Sequence, residues 1–256
     1  MEAETLLQLT NVTKRFGGLV AVDHLSFEVK CGQIKAIIGP NGAGKTTAFN
    51  LITGLYPLDE GEIVVAGKRA AGLPSHSVAA LGVARTFQNV ELFGNMSVLE
   101  NVMVGAHTRG RAGMFAASLR LPLMRSEEIA LAQRAHACLR LVGLDGIPPE
   151  TEAPSLPFGQ QRLLEVARAL APKPRLLLLD EPAAGLSTGE TARLGDLVRS
   201  IRDLGVTVLL VDHDMDLVMQ VSDEVVVLDH GVKIAEGPPR VVQRDPRVIG
   251  AYLGEE

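Results

Sequence analysis

Gly39-Pro40-Asn41-Gly42-Ala43-Gly44-Lys45-Thr46 meets every fixed position of the spacing G-x-x-x-x-G-K-[S/T]. Glycines let the backbone turn its N–H groups inward, where they can surround phosphate oxygens. A helix that starts near Gly44 adds the positive end of its dipole. Lys45 then reaches the outer phosphates, and the Thr46 hydroxyl supplies an oxygen to Mg²⁺. A second stretch, Leu176 to Leu179 followed by Asp180 and Glu181, is an apolar run that ends in two carboxylates. Asp180 beside the phosphate loop suits the Mg²⁺ shell. Glu181 suits a base that orients and polarises an attacking water. Side chains alternate along a strand, so the two carboxylates are expected to point apart. Together the stretches predict binding and hydrolysis of a nucleoside triphosphate.

Three residues gain meaning beside these. Gln88, in Thr86-Phe87-Gln88, offers a neutral oxygen that could reach both Mg²⁺ and water. His213 follows the apolar run Val206–Val211, where it could contact the γ-phosphate. Phe16 could stack on adenine, or simply belong to the core. Taken singly, Gln88 and His213 also read as ordinary loop residues.

The elements that must position these residues follow from pattern. Residues 5–12 and 24–30 read as strands separated by Gly17 and Gly18. Ile34 to Ile38 is a short apolar run ending in the glycine turn, as a buried strand would be, and residues 44–53 read as a helix. Ile63 to Val65 is a further short strand. Helical patterning covers 97–106, 126–143 and 159–171, with Ser126 as an N-cap and Glu127 and Glu128 in the first turn. The Gly-, Ala-, Arg- and Leu-rich stretch 107–125 takes no assignment. Beyond it, strands Leu176–Leu179, Val206–Val211 and Glu224–Leu228 alternate with helices. One helix face carries Leu194, Leu197, Val198, Ile201 and Leu204, and Gly205 ends it. This alternation implies a largely parallel sheet buried on both faces.

Composition narrows the function. The 256 residues suffice for one large α/β domain or two small ones, and 46% are hydrophobic. Cys31 and Cys138 fall in no metal-ligand spacing, which fits a reducing compartment. A net charge of −5 argues against nucleic acid as partner. The opening MEAETLLQLT carries acids where a signal peptide carries positive charge. No apolar run approaches the roughly 20 residues of a membrane helix. The chain reads as soluble, with any membrane association made through a partner.

In this order, Phe16, the phosphate loop, Gln88, Leu156-Pro157-Phe158-Gly159-Gln160-Gln161, Asp180-Glu181 and His213 resemble the ATP-binding family of ABC transporters along the whole chain. The Leu156–Gln161 segment looks like the family signature, which kinases and GTPases lack. Closer still, the chain is similar to the longer of the two ATP-binding subunits of branched-chain amino acid importers. That likeness rests on Phe16-Gly17-Gly18-Leu19, Arg85 to Asn89, Glu181 to Leu186, Asp212 to Met215 and Ala251 to Glu255.

The resemblance implies a single nucleotide-binding domain over 1–256, a phosphate-loop NTPase of α/β class. Its sheet core is mainly parallel, with an N-terminal antiparallel β subdomain and an inserted helical subdomain over about 89–170. It implies ATP and Mg²⁺, with Thr47 joining the phosphate loop, and Thr46, Gln88 and Asp180 on the metal. Glu181, His213 and Gln88 would be catalytic. Gly159 and Gln160 N–H groups would close over ATP held by a second ATP-binding subunit, identical or different. Implied partners are integral membrane permease subunits, with Val90 to Val98 in the docking groove, and indirectly an extracytoplasmic solute-binding protein. The implied location is the cytoplasmic face of the inner membrane.

Two positions depart from the family pattern. Pro157 stands where the signature usually has Ser, and proline offers neither hydroxyl nor N–H. Ser187 stands where the loop after the carboxylates usually has Asp. Both changes put one composite site's competence in question. A soluble ABC ATPase of translation or repair is the competing class, yet the chain has one cassette and no coiled-coil or zinc insertion. A non-catalytic regulator is opposed by Lys45, Glu181 and His213. The solute stays open between branched-chain amino acids, other amino acids, urea and short amides.

Overall fold

The computed structural model describes residues 4–107 and 122–253. They divide into two compact units, one made of residues up to Arg85 and from Arg175 onward, the other of Thr86–Pro174. In the first unit, β1 (Thr5–Phe16) and β2 (Leu19–Lys30) form an antiparallel hairpin turned at Gly17 and Gly18. Both strands run longer than the alternation suggested, because register shifts let pairing continue past Leu9 to Phe16. β3 (Ile34–Ile38) is buried throughout and leads through the glycine loop into α1 (Lys45–Ile52). β4 (Glu60–Val65) and β5 (Lys68–Arg69) complete a four-stranded sheet of order β2-β1-β4-β5. α2 (Ser75–Ala80) and β6 (Val83–Arg85) close this part of the chain.

The second unit is helical: α3 (Val98–His107), α4 (Pro122–Leu141) and α5 (Phe158–Leu170). α4 starts at Pro122, so Ser126 lies inside the helix and does not cap it. Glu127 and Glu128 are consequently beyond the first turn. Proline suits a first turn because its φ is preset and it has no N–H to satisfy. The unassigned stretch 107–125 falls mostly outside the described residues.

The chain then returns to the first unit. β7 (Leu176–Asp180), α6 (Thr188–Asp203), β8 (Thr207–Val211), α7 (Met215–Val221), β9 (Glu224–Asp229) and β10 (Val232–Gly237) follow, then α8 (Pro239–Val242) and α9 (Pro246–Leu253). The second sheet has the order β10-β9-β3-β8-β7-β6, parallel except for β10. Every residue of β3, β7 and β8 is buried, which explains their unbroken apolar runs. Phe49 and Ile52 of α1 share one core with Leu7, Leu25 and Ile63 of the first sheet and Leu178, Leu209 and Val226 of the second. On α6, Leu194, Leu197, Val198 and Ile201 are buried, but Leu204 at the C-cap is 67% exposed. The helix has already turned out at that point, where Gly205 takes φ +87°.

Candidate nucleotide and hydrolysis site

Strands β3, β8 and β7 lie side by side and parallel. Their C-terminal ends therefore open on one edge of the sheet, the usual ligand edge of open α/β folds. β3 delivers the loop Gly39–Thr46, β7 delivers Asp180 and Glu181, and β8 delivers Asp212 and His213. β6 adds Arg85 next to β7.

The loop needs its glycines. Gly39 has φ +149°, and a Cβ there would lie 2.1 Å from the Leu228 carbonyl oxygen. Gly44 has φ +99°, and a Cβ there would meet the Ala21 carbonyl at 2.4 Å. Gly44 is also the N-cap of α1 and has no side chain to cap it, so the positive helix end faces no built-in anion. Lys45 is 9% exposed, and its Nζ donates to the carbonyls of Gly39 (2.6 Å) and Pro40 (2.8 Å). The cation is thus folded across its own loop. Thr46 is exposed and Thr47 half-buried, while Asn41 and Gly42 lie at the open tip.

Asp180 is 1% exposed, and its Oδ2 accepts from Arg85 Nη2 at 2.6 Å. Arg85 also donates to Asn50 Oδ1 on α1 at 2.6 Å and stacks over Phe49. This ion pair joins β6, β7 and the helix of the phosphate loop. Sequence reasoning gave Arg85 no role; its signal was a cation three residues before Gln88. A carboxylate and a threonine hydroxyl are hard oxygen donors, which fits Mg²⁺ held jointly with phosphates.

Glu181 leaves the strand in the left-handed region, φ +47°. A side-chain-bearing residue adopts this at a cost of about 1–2 kcal/mol. Its N–H donates to the Val211 carbonyl at 2.7 Å, which holds the turn against β8. The expectation that strand alternation alone parts the two carboxylates needs correcting: the parting falls where the strand ends and the backbone inverts its hand. Glu181 Oε2 stands 3.8 Å from His213 Nδ1, and His213 is largely exposed. Asp212 beside it is buried, and burial pushes its carboxyl above the ordinary range although two backbone N–H groups bind it.

Phe16 is 44% exposed and meets Tyr56 edge-on at 5.4 Å, which removes its reading as a core residue. Gln88 is exposed and belongs to the second unit. There, Arg162 of α5 donates to the carbonyls of Phe87 (2.9 Å) and Gln88 (2.6 Å), and Glu165 accepts from the Phe87 N–H (3.0 Å). Pro157 is the N-cap of α5, and its carbonyl accepts from Gln160 N–H at 2.9 Å and Gln161 N–H at 3.0 Å. The Gln160 N–H is therefore spent within its own helical turn. That corrects its expected role and leaves the Gly159 N–H and the Gln160 side chain. Ser187 caps α6: its N–H and hydroxyl both donate to Glu190, at 2.9 and 2.6 Å. The departure from Asp thus has a local purpose.

A family profile described as ABC transporter matches residues 22–184, more than half of the chain. The chain belongs to the ABC transporter family. Its class is the ATP-binding cassette, the ATPase subunit of such transporters. A second profile, described as branched-chain amino acid ATP-binding cassette transporter, matches residues 232–256. The high-affinity branched-chain amino acid transport ATP-binding protein LivG of Salmonella typhimurium is 42% identical over 254 residues, 99% of each chain. An ATP-binding cassette of an ABC transporter in its ADP conformation superposes with a TM-score of 0.85 at 32% identity, covering 98% of this chain and 99% of that one. A dimeric, post-hydrolysis cassette bound to ADP and Pi gives a TM-score of 0.78 at 26% identity, over 92% and 99%. Among the described residues, no helix is long and apolar enough to cross a membrane.

Proposed function

We propose that this cassette hydrolyses ATP to energise import of branched-chain amino acids through partner permease subunits at the cytoplasmic face of the inner membrane. The observation that carries the reading is that the likeness to branched-chain cassettes runs the length of the chain and into residues 232–256. ATP phosphates enter the loop 39–46, and Lys45 exchanges its two carbonyl partners for phosphate oxygens. Phe16 stacks on adenine. Glu181 accepts a hydrogen bond from the attacking water, and His213, whose Nδ1 lies 3.8 Å from Glu181 Oε2, contacts the γ-phosphate. Thr46 and Asp180 would hold Mg²⁺, which when bound neutralises phosphate charge. A second cassette, identical or different, closes each site with its signature segment, offering the Gly159 N–H where Pro157 offers none. Exposed Phe93 lies within the segment proposed to receive a permease helix, and exposed Phe87 stands just before it.

The test is reconstitution with the neighbouring permease and solute-binding protein in vesicles. ATP turnover is expected to rise when that binding protein is loaded with leucine, isoleucine or valine. Stimulation by urea, short amides or other amino acids alone would refute the solute and keep the motor. Turnover that ignores the permease altogether would refute transport.

A further inference from the structure

Asp212 lies one residue before His213 and is 1% exposed. Its two oxygens serve two different loops. Oδ2 accepts from the Ala183 N–H at 3.0 Å, two residues beyond Glu181. Oδ1 accepts from the Asp214 N–H at 2.9 Å, one residue beyond His213. That same Oδ1 stands 3.8 Å from His213 Nδ1, which is itself 3.8 Å from Glu181 Oε2. A buried carboxylate is costly to desolvate unless hydrogen bonds compensate it. A side chain with one acceptor could satisfy only one of these N–H groups. Glu181 meanwhile sits in left-handed backbone, a conformation that persists only where its surroundings hold it.

We propose that Asp212 is a positioning residue for hydrolysis: its carboxylate clamps the loop after Glu181 to the loop that carries His213, and so fixes the spacing of that pair. The inference rests on the reading of Glu181 and His213 given above. The carboxylate is buried on two backbone N–H groups and lies outside the loop 39–46. Its loss should therefore reduce turnover and leave nucleotide binding in place.

Asp212→Asn keeps the size but retains one acceptor and sets an NH₂ donor against a backbone N–H. Misplacing a reacting group by about 1 Å costs on the order of a hundredfold, so kcat is expected to fall about tenfold to a hundredfold. KM for ATP should stay within about twofold, because the loop 39–46 is untouched. Asp212→Ser, with a single small acceptor, is measured beside it so that a folded variant lacking the second acceptor is in hand. Asp212→Glu keeps two acceptor oxygens but adds a methylene to a packed site, which is destabilising, so it is expected to lower Tm yet lose less kcat than Asp212→Asn. Asp223→Asn serves as the control. Its Oδ2 accepts from the Ile34 N–H at 2.8 Å, at the start of β3 and far from the catalytic edge. It is expected to lower Tm and leave kcat alone. Unchanged kcat in the Asn and Ser variants, or equal losses in the Asn and Glu variants, would overturn the clamp. Glu181→Gln is assayed in parallel. If it still turns over, the base assignment falls. If it is inactive while Asp212→Asn is fully active, only the clamp falls.

Discussion

The two compact units place their chemistry by opposite means. In the first, strand ladders do most of the placing, and buried side chains such as Asp212 and Arg85 only tie together ends that the ladders already bring close. Strand pairing sets Gly39, Asp180 and His213 on one sheet edge, and the Glu181 N–H to Val211 carbonyl bond fixes the turn after β7. In the second unit, side chains do the placing. The Gln88 segment belongs to no strand, so Arg162 and Glu165 of α5 reach across to its backbone groups. Both charged groups are buried, and burial pushes the Glu165 carboxyl up although Phe87 N–H and Arg162 oppose it. A ladder supplies position wherever a strand ends. A loop beside a helix has no ladder, and buried charge has to substitute for it.

If this contrast holds, substitutions of residues presented at the catalytic edge of the first unit should change chemistry before stability, and those of Arg162 and Glu165 in the second the reverse. The largest effect is expected from Glu181→Gln. General-base catalysis contributes about 10²–10⁴-fold, so steady-state turnover should fall by at least about a hundredfold. ATP affinity should remain, and ATP should then trap a closed dimer visible by gel filtration. Persistent turnover would mean that the strand edge does not present the base.

Arg162→Ala comes next. It leaves buried Glu165 with only the Arg168 guanidinium, 3.9 Å away, so the loss should approach the roughly 3–5 kcal/mol of a broken buried pair without exceeding it. Denaturant unfolding should register that loss, and Glu165→Gln added to it should recover part. If Arg162→Ala were stable yet inactive, the second unit would resemble the first, and the contrast would fail.

Lys45→Ala removes charged hydrogen bonds of about 1.5–3 kcal/mol, or roughly tenfold to a hundredfold in ATP affinity by calorimetry, with little loss of stability. Unchanged affinity would remove Lys45 from the site.

Pro157→Ser is the smallest. The hydroxyl can reach a γ-phosphate across the dimer, but it can equally cap α5, where N-cap serine is favoured by about 1 kcal/mol. Competition between the two should hold any tightening of the ATP-driven dimer below about tenfold, against Pro157→Ala as control. Identical behaviour of the Ser and Ala variants would show that Gly159 N–H completes the site without a hydroxyl.

The strand-loop-helix around Lys45, the buried parallel strands, the end of α6 at Gly205 and membership of the family are all legible in residue order. These features are local: a run of four or five apolar residues, or glycines at fixed spacing, constrain the backbone regardless of what lies elsewhere. The remaining features depend on contacts between distant parts of the chain. Arg85 finds Asp180 across 95 positions of sequence, and Arg162 finds Phe87 across 75. Asp212 finds Ala183 across 29. No periodicity encodes such pairs, because a charged residue reads as solvent-facing until its partner is known. The left-handed turn at Glu181 was hidden for the same reason: a side chain that strains its own backbone is held there by neighbouring strands, not by its own residue type.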